Sequence, residues 1–231
     1  MNRKIGYIFA VLVVGLFVVS ACQQAVGVRP ARQLDRGEID LPQVRCGDTL
    51  TKSVRLTQNL NCNGKGLVIS GDNVLLECDG HTISGSGNEK GVFVGRSSGV
   101  TVTRCNITGF DIGIMAERSY SIYLLDNRII RNRVGIILYQ TSMVGGEFSR
   151  VDNNIVDENE RGIFVSNPRA RVKLDTNHVC NNSLDDIGIL DDGRVLWPID
   201  RYFRGNICDS VVIYGQNLNQ LTQGYICANR C

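Results

Sequence analysis

The sequence predicts an all-β chain wound as a solenoid of parallel strands. Three observations carry this expectation. A glycine followed by apolar residues recurs in GVFV (Gly91), GIMA (Gly113), GIIL (Gly135), GIFV (Gly162) and GILD (Gly188), at spacings of 22, 22, 27 and 26 residues. A shorter partner alternates with it: CNI at Cys105, DNRI at Asp126, DNNI at Asp152, TNHV at Thr176 and GNI at Gly205. The apolar runs are too short for a helix in each unit and are separated by Gly, Asn and Asp. A fixed period of this length marks stacked units, each unable to bury its apolar face alone.

From the N-terminus, Arg3 and Lys4 precede an apolar run from Ile5 to Val19, then VVSAC (Val18–Cys22). A basic start, a short apolar core and small residues read as an export signal. Val19-Ser20-Ala21-Cys22 also resembles the bacterial lipobox, which implies lipidation of Cys22. Cleavage after Ala21 and an uncleaved anchor remain open, although a spanning helix needs about 20 apolar residues. Residues 1–22 are thus expected to be a signal or membrane anchor. Residues 23–43, without apolar period, are expected to be a tether, and 44–231 the folded domain. The chain is expected to be exported and membrane-anchored, at a cell surface or in a periplasm.

The repeat unit holds three short β segments. One is Val100–Val102 or Ile122–Leu124, the next is centred on Ile107, Ile129, Ile155 and Val179, and the third follows the glycine. This suits a right-handed single-stranded parallel β-helix of about six coils, each about 4.8 Å above the last. Open ends of such a stack expose strand edges and need caps. Thr49–Cys62 alternates apolar and polar residues and suits the N-terminal cap. Val195–Cys231, with Trp197, Tyr202, Phe203, Tyr214 and Tyr225, suits the C-terminal one. Asn127, Asn153 and Asn177 are assigned to one column, with Cys105 a coil earlier, and Asn132 and Asn182 to a second. Stacked asparagines can satisfy amides at tight turns.

Charged residues are 21% and the net charge is +2, so nothing suggests a disordered chain or a bulk nucleic-acid binder, and no nucleic-acid partner is expected. Basic residues are 20 Arg and five Lys, and the planar Arg fork suits acidic partners, including sugar carboxylates. Setting Cys22 aside, Cys46, Cys62, Cys78, Cys105, Cys180, Cys208, Cys227 and Cys231 form an even set, expected to be disulfides in an exported chain. Proximity favours Cys46 with Cys62, and Cys227 with Cys208 or Cys231. No C-x-x-C pair occurs, which disfavours a thiolate metal site.

With its periods laid out, the chain resembles the right-handed parallel β-helix repeat proteins, pectate-lyase-like and NosD-like, over roughly residues 46–215. The segment Cys46–Gly85, CGDTLTKSVRLTQNLNC…GLVISGDNVLLECDGHTISG, looks like the opening of many exported members. The resemblance implies the fold and leaves several functions open: pectate lyases, polygalacturonases, other lyases and epimerases, and a periplasmic accessory protein for the copper site of nitrous oxide reductase. The polygalacturonase pattern does not carry over. LDD (Leu184–Asp186) and LDDG (Leu190–Gly193) have acids, but no Gly-His-Gly follows, and RVK (Arg171–Lys173) precedes them. Two His and three Met speak against a copper site.

If the glycines point outward, Phe93, Met115, Ile137, Phe164 and Leu190 form an apolar outer stripe two residues on. Glu89, Asp111, Arg133, Glu160 and Asp186 then form a charged stripe two residues before. Such a face needs a partner. Phe93, Met115, Arg133, Ile137 and Phe164 are the expected ligand-binding residues, for a polysaccharide or another cell-envelope component. The stripe also suits an oligomer interface or this chain's own C-terminal segment. Asp111 and Glu160, two coils or about 9.6 Å apart by strand spacing, with Asp186, are the weaker catalytic set for a lyase or glycoside hydrolase. Inverting glycosidases hold their carboxyls about 6.5–9.5 Å apart. Arg133 between them instead suits charge relief. Glu160 and Asp186 are also the candidates for Ca²⁺, the one ion in view. No other cofactor is expected. His81 and His178 are expected to be structural, and Asn106 and Asn181 open N-x-S/T glycosylation patterns. The favoured reading is a non-catalytic, tethered β-helix.

Overall fold

The computed structural model describes residues 43–141, 148–166, 172–190, 203–214 and 226–231. The expected signal, the lipidation at Cys22 and the tether up to residue 42 lie outside them, as do Trp197, Tyr202 and Tyr225. Among the described residues no helix is long and apolar enough to cross a membrane.

The first turn is β1 (Thr49–Leu50), β2 (Val54–Arg55) and β3 (Leu60–Asn61); the second is β4 (Leu67–Ile69), β5 (Leu75–Glu77) and β6 (Thr82–Ser84). There follow β7 (Lys90–Gly95), β8 (Thr101–Thr103) and β9 (Asn106–Thr108), then β10 (Ile112–Glu117), β11 (Tyr123–Leu125) and β12 (Arg128–Ile130). Next come β13 (Val134–Tyr139), β14 (Ser149–Asp152) and β15 (Ile155–Asp157), then β16 (Arg161–Ser166), β17 (Val172–Asp175) and β18 (His178–Val179). The last are β19 (Asp185–Leu190), β20 (Phe203–Arg204), β21 (Asn206–Cys208), β22 (Val211–Tyr214) and β23 (Cys227–Asn229).

These strands stack into three parallel sheets: β1-β4-β7-β10-β13-β16-β19-β22, β2-β5-β8-β11-β14-β17-β20, and β3-β6-β9-β12-β15-β18-β21-β23. About six regular turns stand between a first turn of two-residue strands and the closing β22 and β23. Interior side chains form vertical stacks. Val92, Ile114, Ile136, Ile163 and Ile187 make one, and Leu76, Val102, Leu124, Val151, Leu174 and Phe203 another. All are fully buried. Burying each such side chain contributes about 1.5–3 kcal/mol.

Two asparagine columns run along the turns, with corrected membership. Asn154, not Asn153, follows Asn127. The Asn127 N–H and Nδ2 both donate to Asn154 Oδ1 at 3.0 Å, and Asn154 does the same to Asn177, and Asn177 to Asn206. The expected centre at Ile155 moves with it. Val156 faces the core and Ile155 is 41% exposed. Asn153 instead has φ 56° and contacts Asp126 on the surface. Below Asn127 stands Cys105, whose N–H donates to Asn127 Oδ1, bridged to Cys78 one turn lower. The second column is Asn132, Asn159 and Asn182, so Asn159 fills the gap between the two expected members.

The four disulfides are Cys46–Cys62, Cys78–Cys105, Cys180–Cys231 and Cys208–Cys227. The first is the pairing that proximity favours, and the fourth is one of the two partners open to Cys227. The last two tie the closing strand β23 to the sheet of β18 and β21.

The glycine lane is not on the surface. A Cβ on Gly113 would stand 2.5 Å from Ile129 Cγ2 and 2.6 Å from the Gly135 carbonyl oxygen, and one on Gly135 would meet Val156 and Gly162 in the same way. These glycines face the interior at the corner between two sheets, where only a hydrogen fits. The residues before Gly91, Gly113, Gly135 and Gly162 therefore lie on the outer side of the sheet.

Candidate functional site

That corner shapes the outer face of the longest sheet, the one containing β7, β10, β13, β16 and β19. Lys90, Ile112, Val134, Arg161 and Asp185 stack as one column. Phe93, Met115, Ile137 and Phe164 stack as the next, half-buried, as the sequence leads one to expect. Among the described residues, cations sit over aromatic rings in three contacts on this face, one of them Arg161 Cζ at 5.5 Å from the Tyr214 ring centre. Lys90 Nζ lies 5.6 Å from the Phe93 ring centre, and Arg161 Cζ lies 6.0 Å from that of Phe164.

The last turn departs from the expected register. Gly188 stacks on Phe164, not on Gly162, and Leu190 stacks on Ser166 and under Tyr214. Leu190 therefore leaves the apolar column, and Gly188 takes its place. The Phe164 ring lies against the bare Gly188, where a Cβ would stand 2.7 Å from the ring. On the same face is a cleft of about 390 Å³ lined by Arg133, Val134, Ile137, Arg161, Phe164, Leu190 and Tyr214. Three of the five expected ligand-binding residues, Arg133, Ile137 and Phe164, meet there. Phe93 lies in a separate depression with Gly95, Arg96, Glu117 and Arg118, and Met115 lines neither.

Arg161 and Tyr214 form the polar end of the cleft and are joined by the buried Asp185 behind them. Arg161 Nη1 donates to Asp185 Oδ2 at 2.7 Å and to the Tyr214 hydroxyl at 2.9 Å, and Tyr214 donates to the same Oδ2 at 2.8 Å. Asp185 is 1% exposed, and its Oδ1 has no partner among the described residues. The hydrogen bond to Tyr214 and the charge of Asp185 hold Arg161 more firmly protonated, against burial. The Phe164 and Tyr214 rings are 6.0 Å apart and tilted by 56°. The outward-glycine reading sends Arg161 into the core, which is how this group was missed. An unpaired arginine there, costly to bury, is the signal that the glycine points the other way.

The expected catalytic carboxylates do not converge. Asp111 receives both Nε and Nη2 of Arg133, which holds its carboxyl below the usual carboxylate range against partial burial. Glu160 is exposed in the adjoining turn. Asp186 is not in the charged stripe at all. Ser183 and Leu184 hydrogen-bond over Asn159 and Glu160 there. Asp186 is 2% exposed and ends the second asparagine column. Its Oδ1 accepts from Asn182 Nδ2 at 2.9 Å and its Oδ2 from the Asp209 and Ser210 N–H groups at 2.8 and 3.0 Å. With both oxygens held by donors, it does not fit the Ca²⁺ role drawn for it with Glu160.

A family model described as a right-handed β-helix region matches residues 47–217. The chain belongs to this family. No match was found among curated proteins or among solved structures. For a right-handed β-helix the family defines the winding and leaves the chemistry to the side chains on its outer faces. On this right-handed β-helix, Asp157, His178 and Cys180 are the one trio of metal-ligating side chains within reach of each other among the described residues. Cys180 is in a disulfide and has no thiolate to give a metal. His81 Nδ1 lies 3.3 Å from Asn59 Oδ1 and braces the second turn. Asn106, in one glycosylation pattern, donates to the Gly80 carbonyl oxygen, and exposed Asn181 opens the other.

Proposed function

We propose that this protein binds carbohydrate, or another acidic cell-envelope component, without cleaving it, through the cleft at Phe164 and Tyr214. The observation that carries the reading is the pairing of two tilted aromatic rings with two guanidinium groups, Arg133 and Arg161, around one apolar depression. Aromatic faces suit the apolar face of a sugar ring, and guanidinium forks suit its carboxylates and hydroxyls. Glycoside hydrolysis uses two carboxyl groups placed for acid and base or nucleophile. Here Asp111 is neutralised by Arg133, Asp185 is held by Arg161 and Tyr214, and Asp186 closes an asparagine column. Glu160 is left alone, which supports a binding role over the lyase or hydrolase alternative. Four disulfides support an oxidising compartment, and the basic-apolar-small N-terminus supports export with attachment to a membrane.

The test is a glycan array probed with the purified chain, followed by mass spectrometry of every polymer bound. The expected result is retention of carboxylated polysaccharides with no new chain ends, weakened at least tenfold in Phe164→Ala and Arg133→Gln. Cleavage products would replace the binding reading with an enzymatic one. Absence of binding together with a stable oligomer in solution would instead assign the apolar column to assembly.

A further inference from the structure

His178 stands between a carboxylate and a disulfide. Its Nδ1 lies 3.2 Å from Asp157 Oδ1, and its Nε2 lies 3.5 Å from Cys180 Sγ. The same Asp157 oxygen accepts the Cys180 N–H at 2.9 Å, so the carboxylate fixes both the ring and the cysteine. Cys180 is buried, while its disulfide partner Cys231 is exposed. Cys78–Cys105 and Cys208–Cys227 are buried at both ends. Cys46–Cys62 also has an exposed end at Cys46, but no imidazole meets its sulfurs among the described residues. Cys231 Sγ itself lies 3.8 Å from the Val179 carbonyl oxygen, part-buried, while the residue is exposed. Among the described residues, only Cys180–Cys231 joins an exposed cysteine to a sulfur backed by an oriented histidine.

We propose that Cys180–Cys231 is a thiol-exchange site, with Cys231 as the sulfur attacked and Cys180 as the leaving thiolate, received by His178. An external thiolate attacks Cys231 Sγ, the S–S bond breaks, and its electron pair departs on Cys180 Sγ. A mixed disulfide forms between Cys231 and the incoming thiol. Protonated His178 donates an Nε2–H hydrogen bond to the new thiolate, while Asp157 accepts the Nδ1–H and keeps Nε2 turned toward sulfur. A second thiol of the reductant then attacks its own sulfur in the mixed disulfide and frees Cys231 as a thiolate. Two electrons pass from the dithiol, which ends as a disulfide. Exchange is fastest when the leaving thiolate is stabilised, and a neighbouring imidazolium does that. Cys208–Cys227 and the pairing of β21 with β23 continue to hold the closing strand, so opening this one bridge leaves the cap in place.

The experiment uses the whole chain, treated with limiting glutathione or dithiothreitol, quenched by alkylation and mapped by mass spectrometry. Cys180–Cys231 is expected to open first, with glutathione found on Cys231 and not on Cys180, while Cys46–Cys62 persists. His178→Gln is expected to slow this opening on the order of tenfold, with Asp157→Asn slowing it less. Neither should change the rate at Cys46–Cys62. In the reduced chain, the alkylation rate of Cys180 should rise at higher pH in His178→Gln than in wild type, a readout that a structural role for His178 would not move. Equal opening of Cys46–Cys62, glutathione on Cys180, or wild-type exchange and alkylation profiles in His178→Gln would each overturn the proposal.

Discussion

Truncating two neighbouring asparagines, Asn153 and Asn154, separates the two possible registers of the fifth turn. In the structure Asn154 is the buried rung. Its Oδ1 accepts two hydrogen bonds from Asn127, and its Nδ2 donates to Leu124 O, Asp152 O and Asn177 Oδ1 at 2.9–3.0 Å. Asn154→Ala leaves the Asn127 backbone N–H and one Nδ2–H buried without acceptors. A buried orphan costs about 1–3 kcal/mol, so two cost about 2–6 kcal/mol. Asn153→Ala removes a surface contact with Asp126 and places alanine at φ 56°, which costs about 1–2 kcal/mol. Urea unfolding followed by far-UV circular dichroism measures both. With a slope of about 3 kcal/mol per molar, Asn154→Ala should lower the midpoint by about 0.7–2 M, and Asn153→Ala by about 0.3–0.7 M. Equal shifts, or a larger shift for Asn153→Ala, would refute the register and with it the column.

Gly113→Ala should destabilise severely, because its Cβ would meet backbone oxygen and a core isoleucine at under 3 Å, whereas Gly64→Ala meets nothing within 4 Å and should be near neutral; thermal melts of both variants check this. Arg133 depresses the Asp111 pKa in the folded state below its ordinary value of 3.8. The stability that this pairing contributes over Asp111→Asn should therefore be constant from neutral pH down to that value. It should disappear as pH falls through the lower folded value, as acid-titrated melts of the two proteins would show. Tyr214→Phe removes one of two donors to buried Asp185 Oδ2 and one acceptor for Arg161. It should cost about 1–2 kcal/mol and reduce carboxylated-glycan affinity while leaving the ring stacking on Phe164.

The winding of the chain was legible in the sequence because it is written redundantly. Apolar residues, glycines and asparagines recur together, and Phe93, Met115, Ile137 and Phe164 stack as their spacing implies. Errors arose where neighbouring residues offered two equivalent registers. Asn153 and Asn154 are chemically identical, and only the burial of Val156 over Ile155 separates them. Ile187 and Ile189 both face inward, so a two-residue slip preserves the alternation of the strand, and the glycine alone favoured the wrong alignment. Asp185 and Asp186 moved with that slip, one to the hydrogen bonds that join Arg161 and Tyr214 and the other to the end of a column. The cleft was half legible for the same reason. Its apolar residues follow the repeat, while the Arg161–Asp185–Tyr214 group depends on the turn in which the repeat breaks.

Each asparagine amide in a column donates toward the later turn and accepts from the earlier one, so the column has a polarity, and its N–H end points up the stack. An asparagine added above always finds a donor waiting and leaves a new one, so this chemistry contains no natural length. Length is set by whatever takes the last amide, and a residue that accepts without donating is one such end. Asp186 is such a residue: its carboxylate takes the last amide of the second column and passes nothing on. In the first column Asn206 delivers its N–H groups to the carbonyl oxygens of Leu174 and Ile226. A full negative charge at the donor end of aligned amides is the arrangement that favours anions at helix N-termini, achieved here by side chains. The second column is thus punctuated while the winding runs on for another turn, and Asp186→Asn changes a full stop into an open sentence.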